Sequence, residues 1–475
     1  MNDTPLDARP ALAPDTRRDR AFLGHPAGLG WLCFTEFWER FSYYGMQLLL
    51  ALYMTHALLL PGHVEHVLGF GPFGRAMEAV FGAHTPQAMA SAIVGLYSAL
   101  VYLTPIAGGW LADRGLGRTN AVTLGALLMA AGHFVMASEA GFLVALALLS
   151  IGVGFFKGNI SSQVGNLYRL DDPRRADAFQ LFLLVVQLAV VVSPLVCGTL
   201  GEVYGWHWGF GAAGVGMLIG LVVYRTGRRT LPPEATRRTG TVRVARPPLS
   251  RDEKRSVWVL VLLVPILAMT TVCNLQAFNA YILWAEKSYD LVFFGKQLPV
   301  TWLFTMSSFV SSGTLVASLA FWRWFARRWR DPDESTKLVV GAVIAAAAPL
   351  VLAAASRVVE VSGQRVGLGW AVAFEFVNDI GFANLLPVSL ALFTRAAPVS
   401  LTGLLVGVFY LHLFIGNLAA GRLGGLLETM PASAFWTMHA AIVGGGALLL
   451  AIVRWRAHAV LAPIAPVDGR AVAAP

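Results

Sequence analysis

Twelve long apolar runs dominate this sequence and limit the folds that it can adopt. The predicted spans are 29–56, 88–112, 119–138, 141–168, 178–200, 206–224, 256–285, 300–322, 338–356, 367–394, 401–427 and 434–453. Each run reaches or exceeds the roughly 20 residues with which an α-helix crosses the hydrocarbon core of a bilayer. Because a backbone in lipid must satisfy its own hydrogen bonds, such runs predict helices. The sequence therefore predicts an all-α polytopic membrane protein with 12 transmembrane helices.

The composition agrees with this prediction and excludes a water-soluble enzyme. Hydrophobic residues make up 56% of the 475 residues, charged residues only 13%, and the mean hydropathy is +0.62. The net charge of +9 does not indicate nucleic acid as a partner, because the basic residues lie between apolar runs rather than on a folded domain. The three cysteines lie inside apolar runs without metal-ligand spacing, so neither a disulfide nor a metal site is expected.

The distribution of basic residues predicts the topology. With twelve spans both termini lie on one side of the membrane, and the tails and loops of that side contain most of the 36 lysines and arginines. Loops rich in lysine and arginine remain in the cytoplasm. The sequence therefore predicts a multi-pass protein of the plasma (inner) membrane with both termini cytoplasmic.

A basic segment divides the twelve spans into two sets of six. The predicted parts are a cytoplasmic N-terminal tail (1–27), an N-terminal six-helix bundle (28–224), a basic cytoplasmic linker (225–255), a C-terminal six-helix bundle (256–454) and a cytoplasmic C-terminal tail (455–475). We interpret the linker as a tether attracted to anionic lipid, with a regulatory arm as the alternative. Two such halves are typical of alternating-access transporters, whose substrate site lies at the midplane between them.

Seven charged residues fall within the predicted spans. They are Glu36, Glu39, Arg40, Lys157, Glu375, Asp379 and Arg422. Ionisable groups in hydrocarbon are costly unless they pair with one another or face a water-filled cavity. In the first span Glu36 and Arg40 are i,i+4 neighbours on one helical face. We expect these residues to be functional, with a static charge network that fixes helix packing as the alternative.

Three motifs in the first half carry a family resemblance. The sequence EFWERFSYYG at 36–45 resembles the ExxERFxYYG signature of the proton-coupled oligopeptide transporter (POT/PTR2) family, a branch of the major facilitator superfamily. The sequence GGWLADRGLGR at 108–118 resembles the family's loop motif, and GFFKGNIS at 154–161 resembles its fourth-span lysine motif. The resemblance implies a divergent family member with the major facilitator fold of two six-helix bundles.

The resemblance also implies roles for individual residues. Arg40 and Lys157 would hold the carboxylate of a peptide, and Glu36 and Glu39 would take part in proton coupling. By the same resemblance Tyr43, Tyr44 and Tyr97 would line the substrate pocket, and a cytoplasmic gate would contain Asp113, Arg114 and Arg118. The other predicted substrate-binding residues are Gln187 and Phe382, which stand at family positions with a different residue, and Asn279, from the polar stretch of the seventh span. For each tyrosine alone, packing or anchoring at the membrane interface is an equally good interpretation.

The second half departs from the family pattern at two positions. Leu275 stands where the resemblance implies an acid that pairs with the first-span arginine, and Phe382 where it implies a glutamate for the amino terminus of the peptide. Glu375 and Asp379 lie about two turns and one turn before Phe382, on the same helical face. We expect Asp379, with Glu375 as the second candidate, to supply the missing carboxylate for amine binding or proton transfer. The open alternative is that these acids pair with Arg422 or cap a turn far from the cytoplasm.

Other polar residues in the spans allow two interpretations. His133 and His412 could relay protons, or could be neutral groups that hydrogen-bond between helices. Gln276 and Asn279 are interpreted as cavity lining, with helix-to-helix hydrogen bonding as the alternative.

Together these features predict proton-coupled symport of di- and tripeptides into the cytoplasm by alternating access. The expected partners of this monomer are a small peptide or carboxylate substrate, protons and the lipid bilayer; no cofactor is expected. The alternatives are a related carrier of another small carboxylate or anion, such as an N-modified peptide or nitrate, and a peptide sensor that does not transport. An enzyme is disfavoured, because no nucleophile–base pair or metal-ligand cluster is evident.

Overall fold

A computed structural model describes residues 19–169, 172–232 and 249–461. The predicted N-terminal tail up to residue 18, the centre of the predicted linker (233–248) and the C-terminal tail from residue 462 lie outside the described residues.

The described part of the chain contains fourteen α-helices, twelve of which are long and overlap the twelve predicted spans. The first seven are α1 (Ala27–Tyr53), α2 (Phe70–Phe81), α3 (Pro86–Leu111), α4 (Arg118–Val135), α5 (Phe142–Asn166), α6 (Arg174–Ser193) and α7 (Trp206–Gly227). The others are α8 (Arg251–Leu275), α9 (Ile282–Ser288), α10 (Trp302–Arg328), α11 (Glu334–Ser362), α12 (Gly369–Ala396), α13 (Thr402–Gly424) and α14 (Ala432–Leu461). The all-α architecture is thus the one that the apolar runs predict.

Ten of the helices in the described ranges are long and apolar enough to cross a membrane. The other two long helices are α1 and α4. Helix α1 contains three charged side chains, Glu36, Glu39 and Arg40, all of which are buried. Pairing among these charges lowers the free energy needed to bury them in an apolar environment. A helix that contains them can therefore still be one of the membrane spans.

Two short elements lie outside the predicted spans. Helix α2 lies between the first two long helices and is too short to cross a bilayer. It begins after Gly69 and ends before Gly82, which adopt left-handed backbone conformations with φ of 78° and 64°. Before α10, strands β1 (Val292–Phe293) and β2 (Lys296–Gln297) form an antiparallel hairpin. Neither element contains an apolar run of membrane-spanning length, and that length was the criterion for predicting the spans.

The chain folds into two compact units, each with six long helices among its described residues. Unit 1 comprises Met1–Val242 and Leu291–Ser308, and unit 2 comprises Arg243–Asp290 and Phe309–Pro475. Unit 1 contains α1 and α3 to α7, and unit 2 contains α8 and α11 to α14 together with most of α10.

Close contacts between glycines bring the helices of unit 1 together. A Cβ atom at Gly108 of α3 would lie 2.1 Å from the carbonyl oxygen of Gly154 in α5, and one at Gly125 of α4 would lie 2.6 Å from that of Gly152. Since these distances are shorter than any real Cβ contact, only glycine allows the backbones to approach so closely. The approach places the polar side chains of α3 and α5 on neighbouring surfaces.

Glu202 attaches the segment before α10 to unit 1. Its Oε2 accepts a hydrogen bond from the backbone N–H of Val300 at 2.8 Å, and its Oε1 accepts from the N–H of Thr301 at 3.0 Å and from the Thr301 hydroxyl at 2.6 Å. A carboxylate at the start of a helix satisfies N–H groups that have no partner within the helix. This contact explains why residues 291–308 belong to unit 1.

Candidate functional site

A buried cluster of charges on α1 is the centre of the candidate site. Arg40 donates two hydrogen bonds to Glu39, from Nε to Oε2 at 2.5 Å and from Nη2 to Oε1 at 2.8 Å. Its Nε also lies 3.2 Å from Oε1 of Glu36. One guanidinium is therefore shared by two carboxylates, both of which are buried.

The local sequence places this cluster on one face of α1 and the packing residues on another. Phe41 packs with Ala189 and Cys197 of unit 1, and a Cβ at Gly45 would lie 2.5 Å from Sγ of Cys197. Tight packing on that face leaves Arg40 directed to the other side of the helix. The motif thus combines a charged face with a face that anchors α1.

Lys157 of α5 is the second cation of the site. Its Nζ lies 4.8 Å from the ring centroid of Tyr102 on α3, within range of a cation–π interaction. It also interacts electrostatically with Glu36 and Glu39. The structure thus brings together the four charged residues of unit 1 that the sequence singled out.

Tyrosines from α1 and α3 surround these charges. The guanidinium carbon of Arg40 lies 5.2 Å from the ring centroid of Tyr43, and Tyr44 hydrogen-bonds to Arg40. Tyr97 is 2% exposed and interacts electrostatically with Glu39 and Arg40. Gln187, a predicted substrate-binding residue, is half-buried on α6. These contacts make Tyr43, Tyr44 and Tyr97 parts of the charged site rather than isolated packing residues.

The residues of the predicted gate lie in the connection between α3 and α4 and at the start of α4. Arg118 Nη2 lies 3.6 Å from Oδ1 of Asp113, and the guanidinium of Arg114 lies 4.1 Å from the ring centroid of Trp110. The backbone between them is irregular, because Gly117 has a φ of 76°. A partly exposed ion pair of this kind is weak and easily broken, as a gate requires.

In unit 2, the two acids of α12 have different surroundings. Glu375 interacts with the hydroxyls of Tyr281 and Tyr289. Asp379 hydrogen-bonds to Ser311 and to Nδ2 of Asn378, the latter at 3.3 Å. Its Oδ2 is buried without a hydrogen-bond partner, and Asp379 has no ion pair among the described residues. The suggested pairing of Asp379 with Arg422 is therefore absent from the described part of unit 2.

The other residues of unit 2 that the sequence singled out mostly contact neighbouring helices. Gln276 donates from Nε2 to the carbonyl oxygen of Ala420 on α13 at 3.1 Å, and Asn279 donates to the same oxygen at 3.4 Å. A Cβ at Gly416 would lie 2.6 Å from Cδ1 of Leu275, so Leu275 packs against α13. Phe382 is half-buried on α12.

The two histidines that the sequence singled out, His133 and His412, are buried and hydrogen-bond within their own units. His133 Nε2 lies 2.6 Å from the hydroxyl of Ser42, inside the motif of α1, and Nδ1 of His412 lies 2.5 Å from the carbonyl oxygen of Phe409. These contacts are the ones expected of neutral hydrogen-bonding groups.

Sequence reasoning missed Gln47, which lies two turns after Arg40 on the same face of α1. It is 1% exposed, and its Nε2 donates to the hydroxyl of Ser98 on α3 at 2.9 Å. A glutamine within the apolar sequence that follows the motif was the signal available in the sequence.

Comparisons with known proteins agree with this architecture. The family model described as PTR2, POT family, matches residues 119–245. A peptide transporter of Yersinia enterocolitica subsp. palearctica is 28% identical over 92% of this chain and 96% of its own length. A di-/tripeptide transporter of Lactococcus lactis subsp. cremoris is 37% identical over 53% of this chain and 47% of its own length.

A solved structure extends the similarity to the whole fold. The crystal structure of a POT peptide transporter in complex with sulfate has a TM-score of 0.80 and 26% identity, and covers 93% of this chain and 97% of its own. The predicted major facilitator fold is thereby confirmed, and the relatives are transporters rather than enzymes. The sequence motifs, the fold and these similarities together support a member of the POT (PTR2) family of membrane transporters.

Proposed function

We propose that this protein carries di- and tripeptides together with protons into the cytoplasm by alternating access. The observation that carries the proposal is the sharing of Arg40 by two buried acids beside a second cation, Lys157. Guanidinium and ammonium groups in an environment of low dielectric form strong charge-assisted hydrogen bonds to a carboxylate. Every peptide has such a carboxylate at its C-terminus.

The charge of the cluster accounts for the coupling to protons. Glu36, Glu39, Arg40 and Lys157 together are neutral when all four are ionised. A peptide carboxylate that binds to Arg40 or Lys157 adds one negative charge in a buried place, where an uncompensated charge is costly. A proton taken up by one of the acids restores neutrality. Substrate and proton therefore bind together more favourably than either binds alone.

The contacts of the two acids indicate which of them takes the proton. Glu39 is held by two hydrogen bonds from Arg40, whereas Glu36 has one contact with Arg40 at 3.2 Å and a buried Oε2 without a hydrogen-bond partner. A substrate that draws Arg40 away deprives Glu36 of its stabilising charge first. We assign the proton to Glu36, with Glu39 keeping Arg40 in position.

In unit 2, Asp379 is the proposed carboxylate for amine binding or proton transfer. A buried carboxylate with one oxygen lacking a partner is stabilised by a proton or by a cation such as an ammonium group. Glu375 is the second candidate, although it already interacts with the hydroxyls of Tyr281 and Tyr289. If Asp379→Asn left both uptake and its pH dependence intact, this assignment would be lost.

The remaining parts of the proposal concern the cell membrane. We place the protein in the plasma (inner) membrane as a monomer with both termini in the cytoplasm, the segment 225–255 as a cytoplasmic tether, and Asp113 with Arg114 and Arg118 at a cytoplasmic gate. The basic loops support this orientation. All three cysteines are buried, so a single cysteine introduced at exposed Arg229 reports the side on which that segment lies. Labelling from outside intact cells by an impermeant maleimide would contradict the orientation.

Uptake of labelled dialanine into proteoliposomes tests the function. An inward proton gradient should drive accumulation, and an uncoupler or Arg40→Ala should abolish it. Glu36→Gln should still exchange labelled for unlabelled dialanine across the membrane but should not accumulate it against a gradient. The matched control is Glu78→Gln, which removes an exposed carboxylate of α2 and should leave both activities unchanged. Gradient-driven accumulation by the Glu36→Gln protein would contradict the coupling role.

The second candidate function is a carrier of another small carboxylate or anion, such as an N-modified peptide or nitrate. Leu275 and Phe382 favour it, because neither can bind the amine of a peptide. Binding of small carboxylates without uptake of dialanine would support this carrier. Binding of dialanine without any flux would instead support a peptide sensor.

A further inference from the structure

We propose that the end of α10 binds an anionic phospholipid of the surrounding bilayer. The last turns of the helix and the two residues after it have the sequence FWRWFARRWR at 321–330, named here the aromatic–basic end. This segment consists of aromatic rings and arginines with a single alanine between them. The proposal is independent of the proposed transport of peptides, and its test measures no transport.

The length of α10 places this segment at the membrane surface. The helix has 27 residues and is therefore about 40 Å long, whereas the hydrocarbon core of a bilayer is about 30 Å thick and takes roughly 20 residues. Residues 302–322 contain no charged side chain, and the first arginine follows at 323. Because a charged side chain in hydrocarbon is costly, the uncharged part occupies the core and the aromatic–basic end extends among the lipid headgroups.

One face of the segment attaches α10 to the rest of unit 2. Nε1 of Trp322 donates to Oδ1 of Asn384 on α12 at 2.6 Å, and Nδ2 of Asn384 donates to the hydroxyl of Ser318 at 3.1 Å. Ser318 and Trp322 are i,i+4 neighbours on one face of α10. Lys337 of α11 adds a cation–π contact, since its Nζ lies 5.0 Å from the ring centroid of Trp322. These contacts hold the end of the helix in unit 2 without using its arginines.

Other aromatic rings of the segment lie on the surface. Phe321, Trp324 and Trp329 are 47%, 46% and 52% exposed. The ring centroid of Trp324 lies 5.9 Å from that of Phe321 and 5.3 Å from that of Trp329, so the three rings form one apolar surface. The guanidinium carbon of Arg328 lies 5.8 Å from the ring centroid of Trp324. Aromatic side chains are typical of the boundary between hydrocarbon and headgroups, where one part of the ring system is apolar and another is wet.

The segment also presents four exposed arginines, none of which forms an ion pair with a described residue. They are Arg323, Arg327, Arg328 and Arg330. The acids that follow in the chain pair with other cations. Asp331 lies 2.9 Å from Nζ of Lys337, and Glu334 lies 2.8 Å from Nη2 of Arg395. The positive charge of the aromatic–basic end is therefore open to an anion from outside the fold.

An anionic phospholipid supplies both the charge and the apolar surface that this segment can bind. Its phosphate accepts hydrogen bonds from guanidinium groups, and its acyl chains cover the exposed rings. Inorganic phosphate would contact the arginines alone, and a lipid without net charge would leave the positive charge uncompensated. Clusters of basic residues beside a membrane-spanning helix are attracted to anionic lipid in this way.

Quenching by brominated lipid tests the proposal in a bilayer. Exposed Ala320 lies about one turn before Trp324, and all three native cysteines are buried, so a fluorescent label on Ala320→Cys reports the lipid beside the site. The full-length protein is placed in nanodiscs of phosphatidylcholine with a minor share of phosphatidylglycerol. Either the phosphatidylglycerol or an equal share of the phosphatidylcholine is brominated. The wild-type segment should prefer phosphatidylglycerol by at least about fivefold, as expected for one arginine near an anionic lipid.

The arginines and the aromatic ring should have separate effects on this preference. Changing Arg323, Arg327 and Arg328 together to glutamine should bring the preference close to one. Trp324→Leu keeps an apolar side chain but removes the cation–π contact with Arg328, so it should lower the preference by about two- to fivefold.

The matched control removes the same number of exposed arginines at and just after the end of α7. These are Arg225, Arg228 and Arg229, each changed to glutamine. The control lowers the net charge by the same amount as the triple change in α10 but leaves the aromatic–basic end intact. It should keep the wild-type preference.

Each of the following results would overturn the lipid site. They are equal affinity of wild type for the two lipids, a triple α10 variant or a Trp324→Leu variant that keeps the preference, and an equal loss of preference in the α7 control. Loss of the preference in potassium phosphate, but not in potassium chloride of the same ionic strength, would assign the arginines to a soluble anion instead. The melting temperature of each variant shows whether it is folded. A protein that prefers phosphatidylglycerol but accumulates no peptide retains the lipid site and loses the proposed symport.

Discussion

Arg40 and Glu39 are adjacent in the sequence, yet their side chains form a bidentate ion pair within α1. Neighbouring residues on a helix point about 100° apart, so both side chains bend toward each other to make the two hydrogen bonds of 2.5 and 2.8 Å. The guanidinium is thus oriented by its own neighbour, while Oε1 of Glu36 lies 3.2 Å from the same Nε that donates to Glu39. This arrangement leaves Arg40 available to a further carboxylate without losing its orientation.

Arg40→Lys should lower the initial rate of dialanine uptake by at least about tenfold. Lysine keeps the positive charge but cannot form two parallel hydrogen bonds to Glu39, and a charge-assisted hydrogen bond contributes about 1.5–3 kcal/mol. Initial rates in proteoliposomes check the prediction. The control is Arg357→Lys on α11, where the side chain is mostly exposed and uptake should be unchanged. An unimpaired Arg40→Lys transporter would show that charge alone is sufficient at this position.

Gly108→Ala should destabilise unit 1 by about 1–3 kcal/mol, whereas Gly109→Ala should not. The new methyl group at Gly108 would lie 2.1 Å from the carbonyl oxygen of Gly154 and would push α3 away from α5. At Gly109 nothing lies within 4 Å of the added carbon, and alanine favours the helix. Thermal unfolding of the two purified variants in detergent compares them directly. Equal melting temperatures would mean that the close contact does not limit packing.

Glu202→Ala should loosen the start of α10. The change leaves the N–H groups of Val300 and Thr301 without their acceptor, at a cost of about 1–3 kcal/mol for a buried group. Hydrogen exchange of residues 300–308 should become faster than in wild type. Glu78→Ala, which removes an exposed carboxylate elsewhere in unit 1, should leave that exchange unchanged. If hydrogen exchange of residues 300–308 were unchanged in Glu202→Ala, other contacts would have to hold this segment against unit 1.

Asp333→Ala should destabilise the protein near neutral pH but not in acid. Asp333 caps α11, with the N–H of Thr336 donating to Oδ1 at 2.9 Å and the hydroxyl of Ser335 donating to Oδ2 at 2.8 Å. Partial burial raises the pKa of Asp333, but the hydrogen bonds from Thr336 and Ser335 and the charge of Arg454 outweigh it and lower the pKa below its usual value of 3.8.

The sign of the pH effect follows from this lowered pKa. The folded state binds the proton of Asp333 less readily than the unfolded state, so the stabilisation is complete above pH 3.8 and is lost as the pH falls through the lower folded value. Losing the cap costs about 1 kcal/mol at neutral pH. Melting temperatures at pH 7 and at a pH below the lowered folded pKa of Asp333 should therefore differ between variant and wild type only at pH 7. A gap of the same size at both pH values would contradict the role of the ionised cap.

The number and placement of the long helices could be predicted because the length of apolar chain that a span needs is a property of one continuous stretch of sequence. A bilayer demands a minimum length of apolar chain, and that length can be counted in the sequence. Helix α2 and the β1–β2 hairpin escaped the same criterion, since short elements between spans have no such minimum. The division of the described chain into two units depends on contacts such as that of Glu202 with Thr301. These residues are nearly a hundred positions apart, and no sequence pattern predicts that they meet.

The candidate site was only partly predictable. Spacing along α1 predicted that Glu36 and Arg40 would meet, but not that Glu39 would be the closer partner of Arg40. Gln276 and Asn279 stood out as polar residues within a predicted span, and the structure shows both donating to the carbonyl oxygen of Ala420 on α13. Their predicted place in a cavity remains a prediction.

The sequence by itself determined that the chain is a helical membrane protein with charges concentrated on one face of the first long helix. The length of an apolar run and the helical periodicity of charged residues depend only on residues close together in the sequence. Both can therefore be recognised without knowledge of the fold. Only the tertiary structure decided that Lys157 of α5 would lie beside Glu36 and Glu39, and that Gln47 and Tyr97 would each keep one polar atom unused. Such contacts depend on how closely separate helices approach, which the glycines at Gly108 and Gly154 permit but do not specify.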